Sequence, residues 1–530
     1  MNGTGAEASI VDARQPLGVR ARAALARRMS AVGTAEAVLV VAGVGVAAFL
    51  RLWQINHLGF NSDEAVYAGQ AASIADDPKL KPFFPIFRAH PLLFQTILSI
   101  GYRFGTGDLF ARLLADLFGL GTVVVTFMLG KLLYGRRAGL VAALLLALMP
   151  YHVVVSRQVL LDGPMTFFAT LTLYLIALAI VTGKPAWLYA AGGAMGLTIL
   201  GKETAVLLVG GAYVFFTLSP EIRVRKRLLA ASVALIVIVA LTYPLALRVA
   251  GHSSSGQNYF LYQLFRRPNH SWTFYPTTVP LAIGPLVVAA AVAGLWLLRR
   301  EISWRETLLL SWIAAPALFF QLYPVKGFQY LLPCAPPLAV LAGRTLARWQ
   351  PSRSLGIGGL RLPSRWVMTA VAVGVALSIA IPSWHRIAPT PSETFLAGSG
   401  GVPGGREVGR WVKANVPRGA EMLAIGPSMA NIVEFYGQRR AWALSVGPNP
   451  LRRNPAYDPL PNPDLAIRTN EVQYLVWDAY SASRTPFFSN KLLSYARRYH
   501  GRVLHTESAP VSHGSTRIRK PLIVVYGVRR

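Results

Sequence analysis

Long apolar runs recur along this chain of 530 residues, and they constrain its fold more than any other feature. Several of them reach about 18–22 residues, the length that an α-helix needs to cross a hydrocarbon core of about 30 Å. Only 14% of the residues are charged, whereas soluble globular chains carry about 25%. Most of the chain therefore cannot face water, and the sequence predicts an integral membrane protein that is mainly α-helical.

About eleven segments have the length and apolarity of membrane spans, with boundaries good to a few residues. They fall near residues 35–53, 108–130, 138–156, 163–182, 186–200, 203–218, 228–249, 277–298, 306–323, 328–345 and 366–384. The first span follows a basic segment, residues 1–34. This first span is too long for the apolar region of a signal peptide, and no cleavage site follows it. The sequence therefore predicts a bundle of about eleven spanning helices at 35–384.

The net charge of +30 would also suit nucleic-acid binding, but no zinc-finger spacing or RNA-binding aromatic motif is present. Basic residues instead sit in short loops on the same side as the N-terminus, which the positive-inside rule makes cytoplasmic. These loops carry Lys131, Arg136, Arg137, Lys184, Arg223, Arg225, Lys226, Arg227, Arg299, Arg300, Arg305, Arg344, Arg348, Arg353, Arg361 and Arg365. The opposite loops are 54–107, 157–162, 201–202, 250–276 and 324–327. The sequence predicts a multi-pass protein of the plasma membrane.

The tail, residues 385–530, is then predicted to lie outside the membrane, and its pattern changes. Segments with helical and strand patterns alternate, which favours a small α/β domain. The predicted helices are Arg406–Val416, Ala430–Gly437 and Phe487–His500, and the predicted strands are Glu421–Ile425, Val472–Asp478, Arg502–Thr506 and Leu522–Val528. The stretch Gly447–Pro463 is rich in Pro and Asn and is predicted to be a loop.

Three acidic residues lie at the outer ends of predicted spans, where carboxylates are costly and often functional. Asp63 and Glu64 follow the first span, and Asp162 lies between two later spans. One interpretation is structural, because Asn61 or Ser62 can cap a helix whose first turn holds the acids. The other is catalytic, because a carboxylate within reach of a hydroxyl can act as a general base. Both interpretations stay open from the residues alone.

Cations are predicted on the same outer face, where they could meet an anionic substrate such as a phosphate. They are Arg88, His90, Lys202 and Lys326. For Lys202 the alternative is an ion pair with the adjacent Glu203, which would make both residues structural. A divalent metal is compatible with carboxylates next to a phosphate, although nothing in the pattern demands one. The single cysteine, Cys334, excludes an intramolecular disulfide and a thiolate metal cluster.

The order of several short motifs matches a known family over about residues 36–345. The motifs are Asp63-Glu64, His90-Pro91-Leu92, Arg112, Leu129-Gly130-Lys131-Leu132-Leu133-Tyr134-Gly135, Met149-Pro150, Ser156-Arg157 with Asp162, Gly196-Leu197, Gly201-Lys202-Glu203-Thr204 and Gln329-Tyr330-Leu331-Leu332-Pro333 with Pro336. In this order the chain resembles the GT-C glycosyltransferases of the family 39 type, which include the protein O-mannosyltransferases and the bacterial aminoarabinose transferase that acts on lipid A.

The resemblance implies a GT-C bundle in which Asp63 is the catalytic base and Asp162 a second functional carboxylate. It implies a polyprenyl-monophosphate sugar as donor, with Arg88, His90, Lys202 and Lys326 at its phosphate. The residues expected to line the substrate cavity are Glu64, Tyr67, Arg112, Arg157 and Tyr330. The aminoarabinose transferase has Lys where this chain has His90 and Arg where it has Val66, and both departures argue against transfer of aminoarabinose to lipid A.

The resulting hypothesis is an inverting glycosyltransferase that acts on the outer face of the membrane, without a required cofactor. Its partners would be the lipid-linked donor, membrane lipids and an acceptor that is a protein, a lipid or a glycan. Two alternatives remain. A transporter or flippase of lipid-linked precursors would also carry charges within the membrane, although no internal repeat typical of transporters is visible. The second alternative is a non-catalytic subunit that takes part in the assembly of cell-envelope glycans.

Overall fold

The computed structural model describes residues 34–105, 107–348, 355–357, 360–362, 364–387, 401–450, 453–513 and 516–528. The first part of the chain is a helical body. Its α-helices are α1 (Thr34–Leu52), α2 (Ser62–Ile74), α3 (Leu93–Tyr102), α4 (Asp108–Tyr134), α5 (Arg136–Leu148), α6 (Pro150–Ser156), α7 (Asp162–Thr182), α8 (Pro185–Gly201), α9 (Val206–Leu218), α10 (Lys226–Val249), α11 (Ser253–Leu264), α12 (Phe274–Ile283), α13 (Pro285–Leu297), α14 (Trp304–Leu322), α15 (Ala335–Arg348) and α16 (Ser364–Ile387).

A helix is present at each of the predicted spans, which makes this a multi-pass membrane protein. Within the described residues, four helical segments are long and apolar enough to cross alone: α4, α7, α10 and residues 370–387 of α16. Two bent pairs, α5 with α6 and α12 with α13, raise this number to six if each pair is one span. The other described helices do not meet the length and the apolarity of a single span together, so the count of eleven stays a prediction.

The motif from Leu129 to Gly135 forms a tight helical hairpin between α4 and α5. Gly135 turns the chain with φ 93°, a conformation that favours glycine. A Cβ added to Gly130 would lie 2.8 Å from the Cα of Gly139, so the two backbones touch. This contact requires small residues on both helices, as is usual where helices pack inside a membrane.

Two bends break the bundle near the outer loops. Helices α5 and α6 meet at 60°, and α12 and α13 meet at 95°. Pro150 starts α6 and Pro285 starts α13, and both lack the N–H that would have continued the preceding helix. Gly284 allows the sharper bend with φ 107°. Short helices around these bends leave room for the outer loops that form the site.

Residues 401–528 form an α/β module with a five-stranded sheet. Its helices are α17 (Gly405–Asn415), α18 (Pro427–Ile432), α19 (Pro463–Arg468), α20 (Ala479–Arg484) and α21 (Pro486–Arg498), and a short hairpin, β1 (Leu355–Ile357) and β2 (Leu360–Leu362), precedes it. The sheet strands are β3 (Glu421–Ala424), β4 (Ala441–Ala443), β5 (Val472–Asp478), β6 (Arg502–His513) and β7 (Thr516–Gly527), in the order β4-β3-β5-β7-β6. Strands β4, β3 and β5 are parallel, and β7 and β6 continue the sheet antiparallel.

The two faces of this sheet follow from the period-two alternation of strand side chains. Met422 and Ala424 of β3 pack with α17 and α18 on one face. Leu423 on the same strand packs with α19 and α21 on the other face. Helices on both faces bury a parallel core in the usual way for α/β proteins. The predicted strands are therefore present. Among the described residues of the module and of the hairpin before it, the sequence analysis did not predict the short elements β1, β2, β4, α19 and α20.

Several hydrogen bonds join the module to the start of α2 and α4. The Arg406 guanidinium lies 2.9 Å from the Asp108 carboxylate. The Tyr436 hydroxyl accepts from the Phe60 N–H at 2.7 Å and donates to Asp108. Asn431 donates to the Ser62 hydroxyl at 2.9 Å. The module is thus fixed against the segment that leads into Asp63.

Candidate active site

Asp63 lies in the first turn of α2, but it does not cap that helix. The Asn61 side chain accepts from the Glu64 N–H at 3.0 Å, and the Asn61 N–H donates to Glu64 at 2.9 Å. This reciprocal pair is a capping box, which satisfies the helix N-terminus without Asp63. The cap is therefore Asn61, one of the two that the sequence allowed, and both acids lie in the first turn, where they complement the helix dipole. Of the two acids, Glu64 makes the capping hydrogen bonds.

The Asp63 carboxylate projects into a cavity of about 1300 Å³ that the helical body and the α/β module enclose together. Within the described residues it makes no hydrogen bond or ion pair, and its side chain is accessible from inside the cavity. Its position deep among protein atoms raises the pKa of Asp63, and the positive charges of Lys202, His90, Arg266 and Arg88 offset part of that rise. A carboxylate of this kind is available to take a proton.

Asp162 is held quite differently. Both of its oxygens accept from the Lys202 ammonium at 2.9 Å, and both side chains are buried. The ammonium also lies 4.9 Å from the centre of the Tyr330 ring. Lys202 lines the cavity, whereas Asp162 lies behind it. Asp162 thus neutralises and orients the cation that faces the substrate space.

The predicted alternative ion pair between Lys202 and Glu203 is wrong. Lys202 has an extended backbone, with φ −163° and ψ 131°, between α8 and the next turn. Adjacent side chains diverge in this conformation. Glu203 therefore faces the outer loop, where it lies 2.9 Å from His90 Nδ1. His90 in turn meets the Tyr259 hydroxyl at 3.3 Å.

Arg88 is the predicted phosphate ligand that touches both parts of the structure. Its Nε donates to the Ala456 carbonyl at 3.1 Å, and its guanidinium lies 4.7 Å from the centre of the Tyr457 ring. The Nη1 atom is buried without a hydrogen-bond partner among the described residues. Arg88, His90 and Lys202 all line the cavity, as do Tyr67 and Tyr330, which agrees with the sequence-based placement of these five.

Lys326 does not line the cavity. The prediction that it contacts the donor phosphate is therefore wrong. Its ammonium donates to the carbonyls of Phe320, Gln321 and Tyr323 at 3.2, 2.8 and 3.2 Å. These carbonyls end α14 and have no partner within the helix. Lys326 is therefore a helix cap, which spacing along the sequence could not distinguish from a ligand.

Glu64, Arg112 and Arg157 also lie outside the cavity wall, contrary to prediction. The Arg112 guanidinium donates to both carboxylate oxygens of Glu64 at 2.9 Å, and the side chains of Arg112 and Glu64 are fully buried. Arg112 donates further to the carbonyls of Ile55, Leu58 and Gly59. Arg157 donates in the same manner to the carbonyls of Leu50, Arg51 and Trp53. Arg112 and Arg157 thus bind the backbone carbonyls of residues 50–59, the segment that leads to Asp63. Buried carbonyls outside a helix or a sheet need such partners.

The structure adds cavity residues that the sequence analysis missed. Arg266 and Tyr259 come from the outer loop 250–276, and Arg453 and Arg484 come from the module. One signal could have found Arg266, since the positive-inside rule does not expect arginines in an outer loop. Five described residues of the predicted loop 447–463 form part of the wall, and nothing in the composition of that loop indicated their position; they are Gly447, Arg453, Asn454, Ala456 and Tyr457.

No group of three or more His, Cys, Asp or Glu side chains in the described part of the chain is placed to hold a metal ion. Asp63 and Glu203 are the carboxylates that line the cavity there, and Glu203 pairs with His90. A divalent ion prefers several converging oxygen ligands, and among the described residues the wall offers Asp63 as its one carboxylate outside an ion pair. A requirement for a divalent metal stays a question for experiment.

Comparison with solved structures identifies the fold. The chain superposes on ArnT from Cupriavidus metallidurans in the apo state with a TM-score of 0.69 at 18% identity, over 94% of this chain and 98% of that one. The same protein bound to undecaprenyl phosphate gives a TM-score of 0.67 at 17% identity, over 94% and 99%. The chain has the GT-C fold.

Sequence comparison points to the same group. Residues 89–245 of this GT-C chain match the family model described as dolichyl-phosphate-mannose-protein mannosyltransferase. The undecaprenyl phosphate-alpha-4-amino-4-deoxy-L-arabinose arabinosyl transferase of Serratia proteamaculans is 29% identical over 254 residues, which are 44% of each chain. The chain spans about half the length of the curated relatives it matches. These matches confirm the resemblance to the GT-C glycosyltransferases of the family 39 type.

Proposed function

We propose that this protein is an inverting glycosyltransferase that moves a sugar from a polyprenyl-monophosphate carrier to an acceptor hydroxyl. The observation that carries the proposal is the unpaired Asp63 carboxylate in a cavity lined by cations. An alcohol becomes a good nucleophile only as its proton is removed, and a positioned carboxylate can remove it. The structural relative that binds undecaprenyl phosphate supports a donor of that class.

In the proposed reaction the acceptor oxygen attacks the anomeric carbon while Asp63 takes the hydroxyl proton. The bond from that carbon to the phosphate oxygen breaks, and the electron pair leaves with the polyprenyl phosphate. Lys202, Arg88, His90 and Arg266 surround the space that this growing negative charge would occupy. Preorganised cations of this kind stabilise a leaving group in its transition state. Asp162 acts through Lys202, which it holds in place.

The proposed topology follows the basic loops. Residues 1–34 would be cytoplasmic, 35–384 would form the transmembrane catalytic domain, and 385–530 would form an extracytoplasmic domain. Of these ranges, residues 1–33 and 388–400 lie outside the described residues. Asp63 and the α/β module line the same cavity, which supports their placement on one face of the membrane.

The test is Asp63→Asn in proteoliposomes that contain an undecaprenyl-phosphate sugar. We expect the rate of sugar transfer to fall by about 10² or more, the share that a general base contributes. The amide keeps the shape of the side chain, so folding and donor binding should be retained. Asp76→Asn is a matched control, because Asp76 is exposed and pairs only with Lys81.

Wild-type turnover in Asp63→Asn would refute the proposed mechanism. The alternatives give other results. A flippase would move the intact lipid-linked sugar across the bilayer without cleaving it, and a non-catalytic subunit would do neither. Following both the lipid-linked sugar and the free carrier therefore separates all three functions.

A further inference from the structure

The charges along the cavity wall are unbalanced. Of the residues that the structure describes, five with permanent positive charge line it: Arg88, Lys202, Arg266, Arg453 and Arg484. Asp162, behind the wall, balances the charge of Lys202, which leaves four arginines. Among the described residues, the carboxylates on the wall are Asp63 and Glu203, and Glu203 pairs with His90. Arg484 is exposed and Arg88, Arg266 and Arg453 are half-buried on this wall, so a ligand in the cavity can reach them. The surplus therefore points to anionic ligands.

The donor accounts for only part of this surplus. A polyprenyl-phosphate sugar is a phosphodiester with a single negative charge, less than that of a phosphate monoester. Lys202, Arg88 and Arg266 lie near enough to Asp63 to lower its pKa, so they surround the point at which the sugar would react. Arg453 and Arg484 belong instead to the α/β module, and neither is among the four largest charge effects on the pKa of Asp63. They are the two arginines that the described part of the module contributes to the cavity wall.

In the described part of the chain, neither of these two arginines has a contact that balances its charge. Arg453 makes one long hydrogen bond, 3.4 Å to the Pro448 carbonyl, and its Nε is buried without a hydrogen-bond partner. Arg484 donates to the Tyr480 hydroxyl and lies 5.2 Å from the centre of that ring. Within the described residues neither guanidinium is within 4 Å of a carboxylate. Other arginines of the module differ, since Arg440 pairs with Asp458 and Arg498 with Asp464.

We propose that Arg453 and Arg484 bind an oxyanion on the acceptor, so that the acceptor is itself negatively charged. This inference rests on the proposed function, because it takes the Lys202 side of the cavity as the donor site. Guanidinium groups suit this task because they present several N–H donors in a planar fork that matches a carboxylate or a phosphate. The module would then select the acceptor, while the helical body holds the donor and the base.

Direct binding tests this proposal without relying on turnover. The full-length protein in lipid nanodiscs is first saturated with undecaprenyl phosphate, which fills the donor side. Methyl glucuronide, glucose 1-phosphate and neutral methyl glucoside are then titrated by calorimetry. We expect at least one charged probe to bind about tenfold or more tightly than the neutral one, as charge-assisted hydrogen bonds predict. Preference for glucose 1-phosphate indicates a phosphorylated acceptor, and preference for the glucuronide indicates a carboxylate.

Arg453→Gln/Arg484→Gln should remove this preference for charge while leaving the affinity for undecaprenyl phosphate unchanged. Arg497→Gln is the matched control, because Arg497 is an exposed arginine of the same module outside the cavity wall. Equal affinity for charged and neutral probes would overturn the proposal. So would unchanged binding in the double variant, or no binding of either charged probe to protein that still binds undecaprenyl phosphate.

The two proposals can fail separately. If Asp63→Asn transfers sugar normally but the charged probes bind through Arg453 and Arg484, the catalytic mechanism is wrong and the oxyanion site stands. If Asp63→Asn is inactive but the probes show no preference for charge, the transferase stands and its acceptor is not recognised through an anionic group.

Discussion

At the scale of single residues, the two carboxylates to which the proposal gives a role have different environments, and this difference suggests different roles. Asp63 is unpaired inside the cavity, while Asp162 is locked onto Lys202. A base must be free to accept a proton, whereas a buried partner of a lysine keeps that lysine in place. The sequence placed both acids on the same face. It could not assign their roles, because the partner of Asp162 lies 40 residues away.

The pH dependence of transfer should report on Asp63. Only the ionised carboxylate can act as a base, so kcat/KM is full above the pKa of Asp63 and falls as the pH drops through it. Burial raises the pKa of Asp63, so the pH at which kcat/KM falls on the acid side of the profile should lie above the usual carboxyl value of 3.8. Arg266→Gln removes a charge that lowers this pKa, and the acid-side fall should move to higher pH. An acid-side fall at the same pH in both proteins would argue against Asp63 as the titrating base.

At the scale of elements, α2 is the part that presents Asp63, and two sets of contacts fix its start. From within the helical body, Arg112 binds Glu64 and the carbonyls of the preceding turn. From the module, Tyr436 and Asn431 bind Phe60 and Ser62. A displacement of about 1 Å at a reacting group can cost about 10² in rate. Residues far from the substrate should therefore influence catalysis through this helix.

Glu64→Gln tests the buried ion pair. The change removes the carboxylate charge that faces the buried Arg112 guanidinium at 2.9 Å, which we expect to destabilise the folded protein by about 3–5 kcal/mol. Thermal unfolding in detergent measures the loss as a lower midpoint. Glu301→Gln is the control, because Glu301 pairs with Arg348 on the surface at 3.3 Å, and exposed pairs contribute at most about 1 kcal/mol. Equal midpoints for the two variants would mean that Arg112 finds other partners.

Tyr436→Phe tests the contact from the module. Loss of the hydroxyl leaves the Phe60 N–H and the Asp108 carboxylate without one partner each, at a cost of about 1–3 kcal/mol. We expect kcat to fall while the KM for the donor stays constant, since the change shifts α2 and touches no donor contact. Tyr499→Phe removes a hydroxyl that binds Asp464 outside the cavity wall and should leave kcat unchanged. A rise in donor KM with constant kcat would contradict a positioning role.

At the scale of the whole molecule, the sequence predicted the elements better than their assembly. Apolar length located the helices, and alternation located β3, β5 and β7, because both patterns depend on neighbours in sequence. The cavity depends on segments far apart in the chain. Arg453 and Arg484 stand in a loop and a short helix, where no periodicity indicates the side that a residue faces. Lys326 shows the converse error, since its charge suggested a ligand and its contacts make it a helix cap.

The membrane orientation follows from the basic loops and can be tested on the whole chain. Loops with Arg223, Arg225 and Arg227 are predicted to be cytoplasmic, and the module that lines the cavity beside Asp63 is predicted to lie outside. Reporter fusions after residues 227 and 400 should therefore report opposite faces. An alkaline phosphatase reporter should be active only after residue 400, and a cytoplasmic fluorescent reporter only after residue 227. Activity of one reporter at both sites would mean that the number of spans between residues 227 and 400 differs from the predicted one. A single added or removed span inverts everything that follows it, so the face assigned to Asp63 and to the donor would then have to be revised.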